Sequence, residues 1–157
     1  MFKILLIDRC YFTRTGLESW LNQTDFFPAS FLVTSLNNLM LAKEHIVQWQ
    51  PDLIIADLYG FKNDLHHIQQ LSSLFTACGK DNHLILLQSG EDAQLMAYCA
   101  QYQVQATLKK SEPMETLAKV IDHAVLSRPV RTGPQIATPL LTRQEEKVLS
   151  LWKIGRA

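Results

Sequence analysis

The sequence has few cysteines and no excess of charge, and each shortage excludes a class of protein. Three cysteines occur in 157 residues, with no Cys-x-x-Cys spacing, so a disulfide scaffold is excluded and a reduced, cytoplasmic setting is expected. Fifteen Lys and Arg balance fifteen Asp and Glu, and 47% of the residues are hydrophobic. This composition is typical of a folded globular chain and excludes disordered and collagen-like proteins.

Long apolar runs are also missing. The first run lies between Lys3 and Asp8 and is too short for a signal peptide. The other runs are too short to span a bilayer, so we expect no membrane partner. No glycine-rich phosphate loop follows the first run, and no pairing of a nucleophile with a base is recognisable in the sequence. We therefore expect neither an enzyme nor a small-molecule substrate.

Short apolar runs alternate with longer stretches of helical periodicity. Strands are predicted over 2–7, 31–34, 53–56, 84–87 and 106–108, and helices over 11–23, 38–48, 64–77, 91–102 and 113–126. Phe12 is expected on the inward face of the first helix and Val47 on that of the second. Five strand–helix repeats predict an α/β domain over residues 1–127, a (βα)5 flavodoxin-like doubly wound parallel sheet.

The carboxyl ends of such strands are where function is expected, because they converge at the switch in strand order. The first strand ends in Asp8-Arg9, the third in Asp57, the fourth in Gln88-Ser89 and the fifth in Lys109-Lys110. Two carboxylates and a lysine are thereby predicted to meet at one sheet edge.

With these residues the chain resembles a response-regulator receiver domain. The resemblance implies that Asp57 is the phosphoacceptor, that Asp8 belongs to an acidic pair holding Mg²⁺, and that Lys110 pairs with the phosphate. Two positions depart from the family. Arg9 stands where the second acid is expected, and Gln88 stands where a Thr or Ser is expected, unless Ser89 takes that role.

The arginine changes the electrostatics of the predicted pocket. It reduces the charge near the metal position from about −3 to about −1, and a guanidinium repels a cation and cannot ligate it. We expect Arg9 to pair with Asp8 or Asp57, Mg²⁺ to be disfavoured, and phosphorylation to be weak or absent. Two alternatives stay open: Arg9 is a surface residue pointing away from the pocket, and Asp57 is merely a strand-end cap.

The last 30 residues are more basic than the rest of the chain. Residues 128–157 hold six Lys and Arg against two Asp and Glu, and prolines and a glycine make 128–140 a predicted linker. Residues 141–157 resemble the first helix of a LuxR-type helix-turn-helix domain, with a capping box at Thr142 and Glu145. Because no recognition helix follows, no residue of this chain is expected to read DNA, and DNA contact needs a C-terminal domain missing here.

A narrower resemblance covers residues 8–17, which are similar to the auxiliary capsule-synthesis regulators of enteric bacteria. It implies a transcriptional regulator with a phosphorylation-independent receiver that dimerises with itself or with a response-regulator partner. Two other hypotheses remain: a conventional response regulator phosphorylated on Asp57 by a histidine kinase, and an interaction-only module that sequesters a partner.

Overall fold

The computed structural model describes residues 2–23, 27, 30–78, 83–102 and 104–126. The predicted linker 128–140 and the predicted helix-turn-helix fragment 141–157 lie outside the described residues. Among the described residues, no helix is long and apolar enough to cross a membrane.

Strands and helices alternate along the chain as predicted. The strands are β1 (Phe2–Ile7), β2 (Phe31–Leu36), β3 (Leu53–Ala56), β4 (His83–Gln88) and β5 (Ala106–Lys109). The helices are α1 (Tyr11–Gln23), α2 (Leu39–Trp49), α3 (His67–Cys78), α4 (Ala93–Cys99) and α5 (Met114–Leu126). The predicted α/β fold is confirmed.

All five strands are parallel, in the order β2-β1-β3-β4-β5. After β1 the chain adds β2 on one side and β3 on the other, so the strand order switches between β1 and β3. Ile7 pairs with Ala56 at the end of that ladder, and the next residues are Asp8 and Asp57. The topology therefore places the two aspartates side by side at the switch point, where the crossovers leave a crevice.

Helices cover both faces of the sheet and divide the core in two. Along β1, Leu5 and Ile7 face α2 and α3, whereas Ile4 and Leu6 face α1 and α5. Burial on both faces explains why the strand is continuously apolar instead of alternating.

The starts of α3 and α4 differ from the prediction because of local backbone conformation and capping, and α4 ends at Cys99 and not at residue 102. The segment before α3 forms a 3₁₀ turn over Tyr59–Phe61, and His66 adopts a left-handed φ of 58°, so α3 begins at His67 and not at residue 64. The α4 helix begins after Asp92, whose side chain accepts hydrogen bonds from the backbone N–H groups of Gln94 and Leu95.

Two side chains that were predicted to face the core, those of Phe12 and Val47, do not, so these two predictions were wrong. Phe12 is 83% exposed and Val47 is 58% exposed. On α1 the buried stripe contains Leu17 and Leu21, and Phe12 lies five residues earlier, about 140° around the helix. On α2 Val47 follows the buried Ile46 and is rotated from it by about 100°.

Gly16 generates a prediction about stability. It lies in the interior of α1, and a Cβ atom added there would meet nothing within 4 Å. We expect Gly16→Ala to raise the free energy of unfolding by roughly 0.5–1 kcal/mol, because alanine loses less backbone entropy in a helix. Urea denaturation followed by circular dichroism measures this change.

The matched control is Gly90→Ala, where the added Cβ would lie 2.4 Å from the Tyr59 ring. This variant should gain no stability, because the ring must move. A Gly16→Ala protein that unfolds at lower urea than the wild type contradicts the prediction.

Candidate functional site

Two buried carboxylates form the base of the candidate site. Asp8 is 4% exposed and Asp57 is 2% exposed, and each directly follows a central strand. Their backbones are tied to the sheet, because the Asp8 N–H donates to the Leu36 carbonyl and the Asp57 N–H donates to the Ile7 carbonyl. Buried carboxylates need partners for their charge.

Lys110 supplies the compensating charge from the end of β5. Its Nζ lies 2.8 Å from Asp8 Oδ2 and 2.8 Å from Asp57 Oδ2, and 3.3 Å from the Thr13 hydroxyl on α1. Burial lowers the pKa of Lys110, but hydrogen bonding and attraction to Asp57 and Asp8 outweigh burial, so its pKa is raised. The lysine is therefore a fixed cation shared by both carboxylates at neutral pH.

The remaining carboxylate oxygens bind backbone amides of the flanking loops. Asp8 Oδ1 accepts from the Cys10 N–H at 2.7 Å, and Asp57 Oδ1 accepts from the Gly60 N–H at 3.3 Å. The β1–α1 and β3–α3 loops are thus both anchored on the same pair of side chains.

Arg9 does not join this cluster, and the prediction that it pairs with Asp8 or Asp57 was wrong. Its Nη2 atom contacts both Asp64 oxygens, at 2.6 and 2.5 Å, and its Cζ lies 4.9 Å from the centre of the Phe61 ring. The side chain of Arg9 is 52% exposed. Asp8 and Arg9 are adjacent in a non-helical loop, so one side chain points into the sheet edge while the other lies over the β3–α3 loop.

In the described part of the chain, the side chains of Gln88, the last residue of β4, and of Ser89 make no hydrogen bond to either carboxylate. Gln88 directs its Nε2 toward Met96 Sδ at 3.0 Å, and Ser89 is exposed. Of the six pocket residues predicted from the sequence, the structure therefore brings together Asp8, Asp57 and Lys110.

Two participants were missed by the sequence analysis. Thr13 contacts Lys110 across 97 residues of chain, and Asp64 neutralises Arg9 across 55 residues. Asp64 belongs to no motif recognised in the sequence, and Thr13 lies within residues 8–17 but was given no role in the pocket.

The donor set does not suit a divalent cation. The described part of the chain contains no group of three or more His, Cys, Asp or Glu side chains placed to hold a metal ion. Both carboxylates already contact the lysine, which leaves a charge of about −1 on the three side chains. Lys110 lies beside both carboxylates, as predicted from the sequence, whereas Arg9 does not.

The family comparison matches most of the chain. Residues 3–130 match the family described as "Transcriptional regulator RcsA, N-terminal dimerisation domain". A transcriptional regulatory protein, EntR of Citrobacter freundii, is 48% identical over 155 residues, which covers 99% of this chain and 77% of that protein.

Solved receiver domains share the fold at low sequence identity. The non-phosphorylated HemR receiver domain from Leptospira biflexa is 15% identical, with a TM-score of 0.64 over 85% of this chain and 100% of its own. The response regulator domain of Thermotoga maritima CheB is also 15% identical, with a TM-score of 0.61 over 84% of this chain and 99% of its own.

The lysine bridge gives a stability prediction. Lys110→Met should lower the free energy of unfolding by about 2–3 kcal/mol, because two buried carboxylates lose their counter-charge. Since the pKa of Lys110 is raised, its contribution is complete below the ordinary lysine pKa of about 10.4 and is lost as pH rises through the folded-state value.

Urea denaturation from about pH 6 to 9 should therefore show a constant difference between the two proteins, which shrinks only at higher pH. Lys43→Met, at an exposed lysine of α2, is the matched control and should change stability by less than about 0.5 kcal/mol. Equal stability of Lys110→Met and wild type would show that the bridge contributes nothing.

The three thiols should react at different rates. Cys10 is exposed, and hydrogen bonds from the Thr13 backbone N–H and side chain lower its pKa. Burial raises the pKa of Cys78 to about 12 and that of Cys99 to about 11. Iodoacetamide at neutral pH should alkylate Cys10 at least about tenfold faster than the other two, because the thiolate is the reactive species.

Peptide mass mapping over time checks this order, and Cys10→Ser should remove the fast phase. Alkylation of Cys78 or Cys99 as fast as that of Cys10 would contradict the prediction.

Proposed function

Because the chain belongs to the family of RcsA N-terminal dimerisation domains, we propose that it regulates transcription through dimerisation, with itself or with a response-regulator partner, without being phosphorylated. The chain is a transcriptional regulator with a receiver domain.

The observation that carries the proposal is the position of Lys110 between Asp8 and Asp57, 2.8 Å from each. Phosphoryl transfer depends on positioning and on cations that neutralise the developing charge. This pocket offers one monovalent cation and two carboxylates, and the position of the second acid is occupied by Arg9. Lys110 therefore neutralises Asp57 in the folded protein. A divalent cation that could assist phosphoryl transfer would lack the second acid among its ligands.

The loops above the pocket support the same conclusion. The ion pair of Arg9 with Asp64 joins the β1–α1 loop to the β3–α3 loop, and the Phe61 ring between them is fully buried. Asp8 and Asp57 hold the same two loops from below through Cys10 and Gly60. The loops are thus connected by the protein's own charges, an arrangement that needs no phosphate.

Residues 141–157 resemble the start of a LuxR-type helix-turn-helix domain, and we assign DNA contact to the second helix of such a domain and not to these residues. Reading of DNA in this architecture depends on a second helix seated in the major groove. The receiver-like domain then has the role of bringing two such regions together.

Incubation with acetyl phosphate and Mg²⁺, followed by intact mass measurement, tests the proposal. We expect no phosphoryl adduct on the wild type under conditions that fully modify a conventional receiver run in parallel. A stoichiometric adduct that disappears in Asp57→Ala would refute it and favour the conventional response regulator, the alternative that the Asp57–Lys110 pair keeps open.

Two variants sharpen this experiment. Arg9→Asp restores an acid beside Asp8 and should increase the adduct yield, because it completes the acidic set around a cation. Asp64→Asn removes the ion pair of Arg9 without adding an acid near the pocket, and it should leave the yield at the wild-type level. Equal yields in Arg9→Asp and Asp64→Asn would show that the missing acid is not what limits transfer.

A further inference from the structure

The first turn of α1 carries an aromatic side chain directed into solvent. Phe12 is 83% exposed, although its ring is packed edge-on against Tyr11, with ring centroids 6.0 Å apart and planes at 75°. Arg14 also contacts Tyr11, with Cζ 5.8 Å from the centre of that ring, and its Nη1 donates to the Asp8 carbonyl at 2.7 Å. Phe12 is thus an exposed apolar group on an ordered support, which lowers the entropy lost when it is buried.

An apolar groove lies on the same side of α1, between α1 and α5. Its walls include Gly16, Leu17, Leu108, Pro113, Met114 and Leu117. Gly16 follows Phe12 by four residues, so the two positions are neighbours on one face of the helix. Met114, which is 41% exposed, forms part of the opposite wall. We call this surface, from Phe12 across Gly16 to Met114, the α1–α5 face.

Among the described residues of one copy, no contact explains Gly16. The residue is exposed and helical, and a Cβ atom there would meet nothing within 4 Å. Glycine in a helix interior is less stable than alanine, so the fold of one copy gains nothing from it. A glycine without contacts leaves room for another surface to approach the helix backbone closely.

We propose that a second copy of this chain docks on the α1–α5 face, with Phe12 of each copy seated over Gly16 in the groove of the other. This inference rests on the self-association proposed above and identifies the surface that mediates it. A two-fold symmetric interface uses the same patch twice, so the projecting group and its groove must both lie on one face of the monomer. Phe12 and the groove meet that requirement.

The charges that line the groove are also self-complementary. Lys109 and Glu112 are both exposed and both line it, and neither forms an ion pair with another residue in the described ranges. Across a two-fold axis, Lys109 of one copy faces Glu112 of the second, and the reverse pair forms by symmetry. Such pairing sets the register of the two copies.

Sedimentation equilibrium of the 157-residue chain tests the face. Phe12→Ser removes the projecting group and Gly16→Leu fills its seat, and each should raise the dimer Kd at least about thirtyfold. The matched control is Val47→Ser, which removes an apolar side chain that is 58% exposed on α2, and it should leave the Kd unchanged. Circular dichroism checks that Gly16→Leu is folded. We expect it to be, because the space around Gly16 is open.

Charge reversal provides a second test that loss of folding cannot imitate. Lys109→Glu and Glu112→Lys should each weaken self-association, because each places like charges across the axis. An equimolar mixture of the two variants should form a heterodimer with an affinity close to that of the wild type, because both opposite-charge pairs are restored in it.

The possible failures are distinguishable. A wild-type chain that stays monomeric at every concentration overturns both the self-association proposed above and this face. A wild-type dimer whose Kd is unchanged in Phe12→Ser and Gly16→Leu overturns this face alone and assigns the groove to another occupant, such as residues 127–157 of the same chain or a different regulator. A mixture of the charge variants that fails to associate overturns the two-fold pairing.

Discussion

The contact of one ammonium group with two buried carboxylates organises the functional end of this domain. Asp8 and Asp57 follow adjacent central strands, so the sheet itself forces two negative charges into a nearly dry crevice. Without a cation at that point the two charges would repel each other and would lose their hydration uncompensated. Lys110 meets this constraint from the end of β5. The ends of three strands and the first turn of α1, through Thr13, are thereby connected by one side chain.

Arg9 has a different electrostatic role from the one its position suggests. Two carboxylates paired with one lysine keep a net charge of about −1, so the pocket offers a guanidinium no more negative charge than a single surface carboxylate does. Asp64 in the β3–α3 loop offers a full charge at the surface, and the Phe61 ring offers a face on which the guanidinium can lie. The arginine consequently joins two loops. It lies outside the pocket, but it occupies the sequence position at which a conventional receiver has its second acid. Both effects favour a receiver that is controlled by association rather than by phosphate.

The first turn of α1 links the pocket to the face proposed for pairing. On its inner side Thr13 contacts Lys110, and the N–H of Cys10, directly before the helix, donates to Asp8. On its outer side, Phe12 projects into solvent one turn before Gly16. Contacts made by Phe12 with a second copy therefore act on the same short segment that the pocket charges hold in place. We propose that the ion pairs pre-order the pairing surface and that docking takes the place that chemical modification of Asp57 has in a conventional receiver.

The sequence by itself determined the architecture and half of the pocket. A short apolar run such as residues 4–7, followed by a stretch of helical periodicity, favours a strand buried on both faces. Parallel strands bring their carboxyl ends to one edge, so the proximity of Asp8, Asp57 and Lys110 follows from periodicity and topology. The tertiary structure alone decided the partner of Arg9 and the exposure of Phe12. Side-chain direction in a loop depends on charges distant along the chain, here 55 residues away. A ring in the first turn of a helix can face the core or the solvent, and the packing of Leu17 and Leu21 settles which, because it fixes the rotation of the whole helix.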